Sequence, residues 1–119
     1  MSRILVIDDE AIIRMLVVEI LEAVGHTVVD ADSAERALDL LDGGEFDLVV
    51  SDVMMPEMDG PTLLKELRAR HGDIKIIFVS GYAEDAFQKS LPEANQFDFL
   101  PKPFTLKQLV AQVKETMAK

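Results

Sequence analysis

There is no cysteine among the 119 residues. That excludes disulfides, thiolate metal sites and cysteine nucleophiles, and it agrees with a reducing compartment. Positive charge is scarce. Twelve lysines and arginines stand against 22 aspartates and glutamates, a net charge of −10. Nucleic acid and anionic lipid are held by basic faces, so neither is an expected partner. An acidic surface suits cations and basic partners instead. No apolar run approaches the roughly 20 residues of a membrane span. Met1-Ser2-Arg3 leads straight into a strand-like run, which gives the expectation of no signal peptide and a cytoplasmic location. Linkers and low-complexity tracts are also missing, so residues 1–119 are expected to form one domain.

What is present is enough apolar material for a core. The hydrophobic share is 49%, well above the range of disordered chains. The charge is unevenly spread. Between Asp30 and Asp47 seven acids face only Arg36, while between Pro101 and Lys119 four lysines face only Glu115. Two solvated faces of opposite sign account for this.

Short apolar runs rich in Val and Ile recur at Ile4–Ile7, Thr27–Val29, Leu48–Val50, Ile74–Val79 and Phe97–Leu100. Most are continuous rather than alternating, as in strands covered on both faces. Helical patterns fill the gaps. Ile13, Leu16, Val17, Ile20, Leu21 and Val24 form one stripe, stopped by Gly25. Ala34, Ala37, Leu38 and Leu41 form a second, with Asp32 or Ser33 as cap and Gly43-Gly44 as terminator. Leu63, Leu64 and Leu67 form a third, between Pro61 and Gly72. The last helix starts on the capping box Thr105-Leu-Lys-Gln108, with Phe104 as a staple onto Leu109. Its stripe is Leu106, Leu109, Val110, Val113 and Met117. Ala83, Ala86 and Phe87 predict a short, irregular fourth helix before Pro92. The sum is a fivefold βα alternation, hence an α/β domain with a doubly wound parallel five-stranded sheet.

In such sheets, sites form beyond the carboxyl ends of the strands. The residues there are Asp8, Asp9 and Glu10 after the first strand, Asp52 after the third, Ser80 after the fourth and Lys102 after the fifth. Three or more acids gathered on one rim repel one another, and a divalent cation relieves this. Mg²⁺ takes hard oxygen ligands, often one or two carboxylates completed by waters and phosphate oxygens. Lys102 lies between Pro101 and Pro103, which restrict the backbone around it. A lysine held at a carboxylate cluster suits a charge partner or a phosphate ligand.

Taken together and in order, the acid pair Asp8-Asp9, the lone Asp52, the Met55-Pro56…Asp59-Gly60 loop, Ser80 and Lys102-Pro103 resemble the receiver domain of bacterial response regulators. The resemblance covers essentially the whole chain. Ser80-Gly-Tyr-Ala-Glu-Asp-Ala-Phe87 and Phe99-Leu-Pro-Lys-Pro-Phe104 are most similar to receivers attached to hybrid histidine kinases or acting as single-domain regulators. It implies a flavodoxin-like fold with strand order 2-1-3-4-5.

The resemblance also implies roles. Asp52 would accept a phosphoryl group from a histidine kinase or histidine phosphotransferase. Asp9, Asp52 and the Met54 backbone carbonyl would bind Mg²⁺, with Mn²⁺ as a substitute and Asp8 acting through water. Lys102 would pair with the phosphoryl oxygens, and the bond to Pro103 would be cis. Ser80 and Phe99 would be the switch residues, and Met54 and Tyr82 would tune the acyl-phosphate lifetime. A downstream protein would bind the face of the fourth helix, fifth strand and last helix, near Lys107, Lys114 and Lys119. The domain would phosphorylate and dephosphorylate itself without being a turnover enzyme.

Rival readings fit less well. A haloacid-dehalogenase-type phosphatase needs a second acid two residues after the nucleophile, where this chain has Met54. A flavin module would want a Ser/Thr/Gly-rich phosphate loop where Asp8-Asp9-Glu10 stands. A phosphorylation-independent pseudo-receiver, acting as an interaction module, is the alternative, but it usually loses an acid or the lysine. The Met1-Ser2 start favours a stand-alone receiver over an excised kinase domain.

Overall fold

A computed structural model describes residues 2–53, 58, 60–80 and 97–119. Five strands, β1 (Arg3–Ile7), β2 (Thr27–Ala31), β3 (Leu48–Asp52), β4 (Lys75–Ser80) and β5 (Asp98–Pro101), form one sheet in the order β2-β1-β3-β4-β5. Every pairing is parallel. The described helices are α1 (Ala11–Ala23), α2 (Ala34–Asp42), α3 (Gly60–His71) and the C-terminal α4 (Leu106–Met117). The additional short helix predicted after Ala83 lies outside the described residues.

Alternation along the strands explains their unbroken apolar runs. Leu5, Ile7, Val49, Ile76 and Phe78 point into a core shared with Ala34, Leu38 and Leu41 of α2 and Leu63, Leu64 and Leu67 of α3. Their neighbours Ile4, Val6, Leu48, Val50, Ile77 and Val79 pack on the other face against Val17, Ile20 and Leu21 of α1 and Leu109 and Val113 of α4. Each buried aliphatic or aromatic side chain contributes about 1.5–3 kcal/mol. Because successive residues serve opposite cores, a one-residue slip would exchange both sets at once. The register is therefore fixed from two sides.

The helix ends follow local chemistry. Ser33, rather than Asp32, caps α2, its hydroxyl accepting from the Arg36 N–H at 3.2 Å. The capping box of α4 is complete. Thr105 Oγ1 accepts from the Gln108 N–H at 3.1 Å, and Gln108 Oε1 accepts from the Thr105 N–H at 2.8 Å. After α1 the chain turns at Gly25 with φ +99°, a conformation that glycine adopts without a Cβ penalty.

Three residues assigned to apolar stripes are exposed. Leu16 and Val24 of the first stripe and Leu106 of the last are about half or more exposed. The face of α1 that meets the sheet is centred on Val17, Ile20 and Leu21. Leu16 lies to one side of that face, and Val24 is already the C-cap. Leu106 is the first residue of α4, where the helix has not yet descended onto the sheet. Periodicity gives the angle of a stripe but not where a helix crosses the sheet's edge.

Candidate functional site at the carboxyl rim

The parallel sheet brings the carboxyl ends of β1, β3, β4 and β5 to one rim, with β1 and β3 adjacent. Asp8 follows β1 and is buried, and its N–H extends the ladder to the Ala31 carbonyl at 3.2 Å. Its Oδ1 accepts from the Glu10 N–H at 2.9 Å, an Asx-type turn that bends the chain away from the strand. Asp9, at the apex, is exposed. Asp52 ends β3 and is buried. Its own carbonyl accepts from the buried Ser51 hydroxyl at 2.9 Å.

These acids converge. One carboxylate oxygen from each of Asp8, Asp9, Glu10 and Asp52 lies within 4.8 Å of the others. Lys102 faces the group, with Nζ 3.6 Å from Asp8 Oδ2 and 3.9 Å from Asp52 Oδ2. Both separations exceed a direct hydrogen bond, so the attraction is Coulombic across a gap. The backbone N–H of Lys102 donates to the Ser80 carbonyl at 2.7 Å, and the Lys102–Pro103 bond is cis. Ser80 is buried at the end of β4. Phe99 is half-buried in β5, in register with Phe78 and packed against the α2–α3 core. Met54, Tyr82 and the Met55-Pro56…Asp59 loop lie outside the described residues.

The donor set suits a small hard cation. All four side chains offer carboxylate oxygens, with no histidine or cysteine among them. That is the ligand chemistry of Mg²⁺ and Mn²⁺ rather than of zinc or copper. Four carboxylates opposed by one ammonium leave an excess of negative charge that a divalent ion would offset.

Glu10, expected on this rim beside Asp8 and Asp9, joins the cluster. One contributor was not expected from the sequence. Arg14 of α1 donates from Nη1 to the Asp8 carbonyl at 2.9 Å and pairs through Nε with Asp30 Oδ2 at 2.8 Å. A signal for Arg14 did exist. It is the sole lysine or arginine between Arg3 and Arg36, in a stretch holding eight acids.

The family model for the response regulator receiver domain matches residues 4–114. The chain belongs to that family, the receiver modules of phosphorelay signalling. It is 58% identical over 120 residues to the sensor kinase CckA of Brucella abortus, covering 99% of this chain and 13% of that protein. It is 32% identical over 117 residues to the response regulator receiver protein CpdR of Brucella abortus, covering 98% of each. A crystal structure of the receiver domain from hybrid histidine kinase CckA matches with a TM-score of 0.82 at 37% identity, covering 98% of this chain and 99% of that one. The chain also spans about half the length of several transcriptional regulators that it matches. Among the described residues, no helix is long and apolar enough to cross a membrane.

Proposed function

We propose that Asp52 is the phosphoacceptor of the chain. The observation that carries this reading is the placement of Asp52, buried at the end of β3, within 4.8 Å of three further carboxylates and 3.9 Å from the Lys102 ammonium. In the proposed reaction an Asp52 carboxylate oxygen forms a bond to phosphorus as the bond from phosphorus to the donor histidine nitrogen breaks, and the imidazole departs. The donor would be a histidine kinase or histidine phosphotransferase. Asp9 and Asp52, with the Met54 carbonyl, would hold Mg²⁺ or Mn²⁺, and Asp8 would act through water. When bound, the ion offsets charge on the transferred group.

The remaining work falls to the chain's own residues. Lys102 is aimed at the Asp8–Asp52 pair and would follow the charge onto the phosphoryl oxygens. Phosphorylation places about −1.5 to −2 charge where one carboxylate stood. Ser80 would donate its hydroxyl to the new oxygens. Because the Ser80 carbonyl already holds the Lys102 N–H, the two loop ends would move together. Phe99, on the strand that leads into Lys102, would change its packing, and the face around β5 and α4 would change its protein partner. Met54 and Tyr82 are proposed to set the lifetime of the acyl phosphate. In this reading residues 1–119 are one receiver domain, cytoplasmic, returning to its starting state by self-dephosphorylation rather than turning over substrate as an enzyme.

The test is labelling with radioactive acetyl phosphate in Mg²⁺. The wild-type chain should label and Asp52→Asn should not. Full labelling of the Asn variant would remove Asp52 from its role. Mg²⁺-dependent binding of beryllofluoride separates this reading from a phosphorylation-independent pseudo-receiver, which would not bind it.

A further inference from the structure

We propose that Arg14 is a positioning residue for the acid cluster. This inference rests on the reading of that cluster as a divalent-cation site. The turn Asp8-Asp9-Glu10 is held at both ends by this one residue. The Arg14 backbone N–H donates to the Glu10 carbonyl at 2.9 Å, the first hydrogen bond of α1. Its guanidinium Nη1 donates to the Asp8 carbonyl, also at 2.9 Å. Asp9 sits between the two clamped carbonyls.

The clamp is anchored from outside the turn. Nε of the same guanidinium pairs with Asp30 Oδ2 of β2 at 2.8 Å, and the Arg14 side chain is only 17% exposed. The planar guanidinium points two N–H groups at fixed angles. One reaches the end of β1 and the other the adjacent edge strand, so α1, β1 and β2 meet at this side chain. The helix cap adds no side-chain clamp of its own, since the N-cap Glu10 makes no side-chain cap hydrogen bond. A carbonyl leaving a strand end needs a partner, and satisfying it would be a purely structural role. What points beyond that role is the choice of carbonyl. It belongs to Asp8, whose carboxylate also faces Lys102.

Charge and position predict opposite outcomes. If Arg14 acted only through its positive charge, it would repel a divalent cation, and removing it would tighten binding. If it positions the turn, loosening the clamp weakens binding. Arg14→Lys keeps the charge but cannot span both acceptors in one plane. The experiment is calorimetric titration of the metal-free 119-residue chain with MgCl₂ alone, at low salt and again at about 1 M salt, where charge effects reach only about 3 Å. Arg14→Lys should raise the dissociation constant about tenfold, the usual scale for losing a group that orients metal ligands. The weakening should persist at high salt. Asp30→Asn leaves Arg14 in place but releases its anchor. It should shift binding in the same direction, and it carries the test if the lysine variant does not fold.

Mg²⁺ affinity equal to wild type in Arg14→Lys, or in Asp30→Asn at high salt, would overturn the proposal. If the variants lose only resistance to urea, the arginine is structural. Failure of the wild-type chain itself to bind Mg²⁺ would remove the metal-site reading, and this inference with it.

Discussion

The backbone N–H of Lys102 donates to the carbonyl of Ser80 across 2.7 Å. Ser80 ends β4 and Lys102 follows β5, and this bond continues the ladder so that the two strand ends form one rim. The Lys102 side chain is thereby carried to the mouth of the acid cluster, 3.6 Å from Asp8 and 3.9 Å from Asp52.

Lys102→Met keeps the length of the side chain and removes its charge. Two unit charges 4 Å apart interact by about 4 kcal/mol at an effective dielectric constant of 20. The desolvation of Lys102 offsets part of that. The variant should therefore lose about 1–2 kcal/mol of stability in chelator, because buried carboxylates are left without their cation. Mg²⁺ should narrow the difference. Urea unfolding with EDTA and with Mg²⁺ measures both, and equal midpoints in EDTA would contradict the argument.

Mg²⁺ should stabilise the wild-type chain by mass action. At a hundred times the dissociation constant the gain is about 2.7 kcal/mol. At about 4 °C per kcal/mol for a domain of this size, the melting temperature should rise by about 10 °C. Asp9→Asn removes an exposed proposed ligand and touches no core contact, so it should abolish most of that rise while folding normally without metal. Differential scanning calorimetry at several Mg²⁺ concentrations checks this.

Phe78 is fully buried in the α2–α3 core and meets the Phe97 ring edge-on, with centroids 5.3 Å apart. Phe78→Ala should cost about 3–5 kcal/mol through lost burial and the cavity left behind. It should also loosen β5, since Phe78 is the register partner of Phe99. Denaturant midpoints measure the first effect, and amide hydrogen exchange at Phe99 and Leu100 reports the second.

At the amino end of β5, Lys119 Nζ donates to Asp98 Oδ1 at 2.6 Å. That hydrogen bond, foremost, raises the Lys119 pKa above its ordinary value; desolvation opposes it, and the charges of Asp98 and Glu115 add to it. A raised folded-state value means that the pair stabilises the protein below the unfolded-state pKa. That contribution is lost as pH rises through the higher, folded-state pKa. The group is solvent-exposed, so the effect is small. Lys119→Ala should be slightly less stable than wild type at neutral pH, and the two should converge once the pH passes well above the lysine range of about 10.4. Urea midpoints across alkaline pH would reveal a constant difference if the pair contributed nothing.

Much of the fold and most of the site are legible in the residues themselves. The continuous Val/Ile runs are strands because both faces of a parallel sheet are covered, and β1, β3 and β4 have that burial. The Thr105-to-Gln108 box is complete because capping is a contact over three residues. Asp8, Asp9, Asp52, Ser80 and Lys102 could be placed on one rim because a parallel sheet brings its strand ends together. The stripes failed at Leu16, Val24 and Leu106, where exposure depends on how far a helix overlaps the sheet.

From sequence alone, then, follow the βα alternation, the carboxyl rim and the family resemblance, since short-range periodicity and strand ends are local properties. Tertiary structure decides which atoms meet across that rim. It sets the Lys102 ammonium between Asp8 and Asp52 and ties Arg14 to both Asp8 and Asp30. Those pairings depend on the crossing of α1 over β1 and β2 and on the bond between Ser80 and Lys102. Contacts of that kind arise only when elements distant in the chain pack, because no neighbouring residue specifies them.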